Sequence, residues 1–310
     1  MQLPKFNAFA LVFIFILTAM ILSVGCSDDD NPAAPPLADG TWAPVGSGFG
    51  VSAGGQVFAL TVYDTELIMG GIFTSIDGVT ANSIAAWDGT SWTALGGGVT
   101  GGPVRTFTEY MDYLFAGGGF DLVGGSAADH LVIWDGSSWS ALGIGREQEI
   151  YDFAIFMNFL FVGGEKGTGG GLAALTGADW FEIAPDITVN AFTIYDDSLI
   201  IGGTFIDLGD ASGDNICSFT GSNILSLGGG ISGPVYALTV YNGELIAGGF
   251  FSSAGGTSVH NIAAWDGSTW TALGQGVNGA VNCFTIFNGK LIVGGVFTTA
   301  GGTSANYIAS

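Results

Sequence analysis

Val57-Phe58-Ala59-Leu60-Thr61-Val62-Tyr63 is an apolar run with counterparts opening at Val104, Tyr151, Val189, Val235 and Val281. Six copies at intervals of about 40 to 50 residues make the chain an internal repeat, with the period of a single supersecondary unit that stacks on its neighbours. A second apolar run follows each copy and ends in paired glycines, first as Leu67-Ile68-Met69-Gly70-Gly71 and later at Gly117, Gly163, Gly202, Gly248 and Gly294. A third run carries tryptophan and an Asp-Gly pair, as in Ala86-Trp87-Asp88-Gly89, Trp134-Asp135-Gly136 and Trp265-Asp266-Gly267. A fourth opens at Trp92, Trp139, Trp180, Ile224 and Trp270. Asn242-Gly243 and Asn288-Gly289 join first run to second, and the Asp-Gly pairs join third to fourth; both are hairpin signals.

Four short hairpin-linked strands per repeat predict an all-β fold, a six-bladed β-propeller of four-stranded antiparallel blades. The first strands are apolar throughout instead of alternating, as expected of strands covered on both faces by neighbouring sheets. The last repeat stops in its third strand at Asn306-Tyr307-Ile308-Ala309-Ser310, while Asp39-Gly40-Thr41-Trp42 has the form of a fourth strand with no preceding three. Pairing these N-terminal and C-terminal strands would close the ring and remove exposed edges. The rival reading is a longer array cut within a repeat.

The paired glycines after an apolar strand, with a tryptophan further on, resemble kelch-type repeats of the galactose-oxidase-like propellers. The stretch Gly248-Gly249-Phe250-Phe251-Ser252-Ser253-Ala254-Gly255-Gly256 is similar to repeats of exported bacterial proteins. The resemblance implies fold and location; it carries no activity across, because no copper ligand set is visible.

The chain has 310 residues and is nearly half apolar, enough for a large core. Its 27 acidic residues against five basic ones give a net charge of −22, which excludes a nucleic-acid partner and reads as a solvated acidic surface. Lys5, the apolar run Ala8 to Leu22 and then Ser23-Val24-Gly25-Cys26 form a signal-peptide pattern over 1–25. The small residues before Cys26 resemble the bacterial lipoprotein cleavage box, which implies lipidation of Cys26 and a membrane anchor. Residues 26–37, with Asp28-Asp29-Asp30 and three prolines, read as a disordered tether, and 38–310 as the propeller. Ser27 after the cysteine implies the outer membrane or cell surface, with periplasmic or secreted protein as the alternative. Cys217 and Cys283 fall on different strand types two blades apart and are expected to be buried free thiols.

Little here reads as chemistry. Gly50-Val51-Ser52-Ala53-Gly54 has the spacing of a hydrolase nucleophile elbow, yet it lies in an inter-blade loop and not at a strand-to-helix turn. Gly96, Gly98 and Gly101 match a dinucleotide fingerprint, but Gly228, Gly230 and Gly233 repeat it and no helix follows either. His130 and His260 belong to opposite blades, too far apart to share a metal, and are expected to be surface loop residues. Asp207, Asp210 and Asp214 in one loop are weak calcium candidates, short of the six or more oxygens calcium takes, so no cofactor is expected. Blade three departs most from the repeat: Arg146, Glu147 and Glu149 replace glycines in its incoming loop, and Glu165-Lys166 stand in its shortened second-to-third connection. These loops are read as a recognition spot or a compensating ion-pair cluster on one face. The expected function is a non-catalytic cell-envelope scaffold, a monomer, presenting loops to a protein or glycan partner. The alternative is an extracellular polysaccharide-acting enzyme with Glu147 and Glu149 as acid and base.

Overall fold

The computed structural model describes residues 55–142, 147–168, 170–176, 179–206, 208 and 214–310. The signal segment, Cys26, the tether, the strand proposed at Asp39 to Trp42, the Gly50–Gly54 motif, Arg146, Asp207 and Asp210 lie outside them. Within the described residues there is no helix. Sheet one is Gln56–Tyr63, Glu66–Ile72, Ile84–Trp87 and Trp92–Ala94; sheet two is Val104–Tyr110, Tyr113–Gly118, Leu131–Trp134 and Trp139–Ala141. Sheet three is Ile150–Phe156, Phe159–Gly164, Leu172–Thr176 and Asp179–Ala184; sheet four is Thr188–Tyr195, Ser198–Thr204, Ile216–Phe219 and Ile224–Ser226. Sheet five is Val235–Tyr241, Glu244–Gly249, Ile262–Trp265 and Trp270–Ala272, and sheet six has three strands, Ala280–Phe287, Lys290–Val296 and Ile308–Ala309. All pairings within them are antiparallel between successive strands. The first strands of successive sheets lie side by side, one to six, so the arrangement is β-propeller-like.

Two-residue hairpins join first strand to second, and both loop residues have positive φ, as the right-handed twist of the strands requires. Asn242-Gly243 meets this cheaply, whereas Asp64-Thr65 places a β-branched residue at φ 68°. Thr65→Gly is therefore expected to stabilise the fold by about 1 kcal/mol, read as a rise in melting temperature. The third-to-fourth turns are fixed by their aspartates. Asp88 Oδ1 accepts hydrogen bonds from the N–H groups of Thr90 and Ser91, and Asp135 and Asp266 repeat the pattern. Such donors, the Thr90 hydroxyl foremost at Asp88 and the Ser138 N–H at Asp135, hold both carboxyls down at about 2. Each turn brings two indoles together, Trp87 with Trp92, Trp134 with Trp139 and Trp265 with Trp270, at 5.3 to 5.4 Å. The connections from second strand to third are more ordered than long loops: Ser75–Ile76 with Val79–Thr80 and Ser253–Ala254 with Thr257–Ser258 form small ribbons.

The glycine pairs set the spacing between sheets. A Cβ on Gly163 would lie 2.6 Å from Val189 Cγ1 and 2.8 Å from Phe192 Cε2, both on the first strand of the next sheet. Gly70, Gly117, Gly202 and Gly248 meet the next sheet in the same way. The second glycine of each pair faces its own first strand, as at Gly203, where a Cβ would lie 2.0 Å from the Thr188 carbonyl oxygen. The glycines spaced like a dinucleotide fingerprint have a packing role too: a Cβ on Gly96 or Gly228 would lie 2.2 Å from the ring of Trp134 or Trp265. The core is thus a series of layers between sheets, such as Phe161, Leu172, Val189, Phe192 and Ile201 between sheets three and four. Indoles lace neighbouring sheets, Trp139 Nε1 donating to the Leu95 carbonyl and Trp270 Nε1 to that of Leu227.

The series has two unlike ends. Val57 and Leu60 are 36% and 62% exposed, whereas Val104, Ile150, Val189, Val235 and Val281, the counterparts of Val57, are 0% exposed. At the other end, among the described residues, Gly294 meets only Cys283 of its own sheet, its Sγ at 2.6 Å. Both cysteines are free, but the expectation that both are buried needs correction: Cys217 is buried and Cys283 is exposed. Cys283 holds the place of Thr106, Ala191 and Ala237, which are buried, and among the described residues no following sheet covers it.

Candidate functional site

In every sheet the pairing of first strand with second skips one residue at the same place, leaving Phe58, Arg105, Tyr151, Asn190, Tyr236 and Asn282 unpaired. A bulge of this kind frees the side chain from the ladder and re-aims it. All six are half-buried or exposed, and five of them, all but Phe58, directly follow a fully buried residue, so they form a series of accessible positions on the first strands. The row is continuous where its side chains are long: the Arg105 guanidinium lies 5.1 Å from the Phe58 ring centre and 5.6 Å from that of Tyr151. Arg105 Nε donates to Glu149 Oε1, pairing the charge just before the first strand of sheet three. Asn190 Nδ2 donates to the Val235 carbonyl on the next first strand.

Beside Tyr151 lies Asp152, where the other sheets have Ala59, Thr106, Ala191, Ala237 and Cys283. Its carboxylate accepts from the N–H groups of Phe153 (2.9 Å) and Phe192 (2.8 Å) and from the Thr106 hydroxyl, so one group ties sheets two, three and four. Burial pushes this carboxyl up to about 7, the three donors only partly opposing it. The Tyr151 phenol is raised by burial first and then by Glu149 and Glu165, with Arg105 acting the other way.

The blade-three loops run together, the Glu165 N–H donating to the Glu149 carbonyl at 2.9 Å. Glu147, Glu165 and Lys166 are exposed, and Glu149 alone of the four turns into the row, where its partner is Arg105 of sheet two. Asp214 is exposed. Among the described residues no group of three or more histidine, cysteine or acidic side chains could hold a metal ion. His260 is exposed, but His130 is half-buried with Nδ1 3.0 Å from the Phe120 carbonyl. It takes the place of Asn215 and Asn261, which clasp the corresponding backbone at Phe205 and Phe251, and so is a structural clasp and not a surface loop residue.

No protein-family model matches the chain, and no curated protein matches it. Among solved structures, the crystal structure of the computationally designed Ika8 protein is similar, at 17% identity and a TM-score of 0.51, over 81% of this chain and 73% of that one. The likeness is one of fold. It says nothing about a ligand, and the site rests on the row itself.

The whole row, Phe58, Arg105, Tyr151, Asn190, Tyr236 and Asn282, together with Asp152, is what sequence reasoning missed. Tyr151 was aligned with Val57, but Ile150 pairs with Gly164 as Val57 does with Gly71, so repeat three is offset by one residue. With that offset removed, Asp152 stands out as the only carboxylate in a column of small or uncharged residues.

Proposed function

We propose that this chain is a non-catalytic binding scaffold of the cell envelope, exported, lipidated at Cys26 and held at the outer membrane or cell surface. Its six repeats are the blades of one propeller, with Asp39 to Trp42 supplying the fourth strand of sheet six. The observation that carries the binding reading is the row of accessible side chains at the first-strand bulges, five of which directly follow a fully buried residue. Pairing of Glu149 with Arg105 favours a role in positioning over one in acid–base chemistry.

Two measurements test this. Expressed in a Gram-negative host, the full chain is expected to take up lipid label and fractionate with membranes, and Cys26→Ser to lose both; unchanged label and fractionation would remove the anchor. Closure is tested by thiol labelling of native protein, with buried Cys217 as internal reference. A closed ring protects Cys283 as strongly as Cys217, while rapid labelling of Cys283 alone means that the two ends stay apart.

A further inference from the structure

We infer that the row Phe58, Arg105, Tyr151, Asn190, Tyr236 and Asn282 binds a neutral glycan, an inference that rests on the binding reading above and names its ligand class. Three of the six are aromatic, two are amides, and the one cation is neutralised by Glu149. Aromatic faces cover the C–H faces of a sugar ring, and amides offer both donors and acceptors to its hydroxyls. A polyanion is disfavoured by the net charge of −22 and by the commitment of Arg105 to Glu149. A cationic ligand would find little to pair with in the row, since Glu149 is paired and Asp152 is enclosed by three donors, leaving Glu165 beside Tyr151 as the exposed carboxylate nearby. Because each bulged residue holds the same place in a different sheet, the six lie around the axis of the proposed ring and can meet a sugar chain from several sides.

The Arg105 guanidinium, set between the Phe58 and Tyr151 rings and tied to Glu149, fixes both rings before a ligand arrives. Such preorganisation lowers the entropy lost on binding. Asn282 and Tyr236, at the other end of the row, supply a second amide and a third ring.

The test uses the full chain in detergent and hexasaccharides of glucose and of N-acetylglucosamine as probes, in calorimetry at millimolar sugar. Binding of at least one probe is expected, weakened about tenfold by Tyr151→Ala and by Tyr236→Ala. Tyr113→Ala, an exposed tyrosine outside the row, should leave it unchanged. Arg105→Lys should also weaken it at unchanged melting temperature, since an ammonium cannot lie flat between two rings. No binding of either probe, or equal loss in Tyr113→Ala, overturns the inference. Capture of isolated envelopes that survives periodate oxidation of their sugars would keep the binding scaffold and replace the glycan by a protein.

Discussion

Gly163→Ala is expected to destabilise the protein by about 3 kcal/mol in denaturant unfolding, and Gly294→Ala by a similar amount when the ring is closed as proposed, but by about 1 kcal/mol or less when the two ends stay apart. The two glycines hold the same place in the repeat. At Gly163 the new methyl would press on Val189 and Phe192, side chains of the next sheet locked in a packed layer. A dense core yields little, so either the sheets separate or the side chains leave their rotamers. At Gly294, among the described residues, the methyl would press on Cys283 Sγ at 2.6 Å, an exposed side chain that can turn away while the ends stay apart. Equal losses at both positions would mean that something covers sheet six in solution, as closure requires, since Val57 and Leu60 would then stand against Gly294 as Val189 and Phe192 stand against Gly163.

Asp152 is expected to make the protein less stable as pH rises from about 4 to 7. Its carboxyl keeps a proton up to about 7 in the folded chain, while in the unfolded chain it releases it near 3.9. Between those values the folded state binds more protons, so raising the pH favours unfolding; below the window and above it this contribution is flat. The full shift would correspond to about 4 kcal/mol, and the residue's partial exposure reduces the expected effect to about 2 kcal/mol. Asp152→Asn should abolish that slope, measured by melting at pH 5 and pH 8. The carboxyls of Asp88 and Asp135 act oppositely and elsewhere: held at about 2, they add stability above pH 4 that is lost as pH falls toward 2. A wild-type slope that persists in Asp152→Asn would place the titration on another group.

Much of the fold is legible in the sequence because its repeat is written in residues with narrow physical roles. Paired glycines mark where sheets approach, Asn-Gly and Asp-Gly mark hairpins, and tryptophans in register mark the third and fourth strands. The ribbons at Ser75 to Thr80 and Ser253 to Ser258 were not foreseen, since two-residue strands show no periodicity to read. The candidate site was half legible. The departure of sheet three from the pattern pointed at Glu149, but a bulge shifts register by one residue, and the apolar runs through Tyr151 tolerate either alignment. Arg105 escaped because its meaning lies in contacts with Phe58, Tyr151 and Glu149, all more than forty residues away in the chain.

The two unlike ends of the sheet series also give the molecule a direction. Val57 and Leu60 stand at one end and Gly294 and Cys283 at the other, so among the described residues the two end surfaces differ, and each is shaped as the other's complement in a ring. In a chain whose ring stays open, contact of one end with the unlike end of another copy would be head to tail, and each addition would regenerate the surface that receives the next, the geometry of a growing filament that ring closure prevents. The charge of −22 on every copy opposes such growth at low ionic strength, so added salt, by screening it, is the condition under which polymerisation would begin.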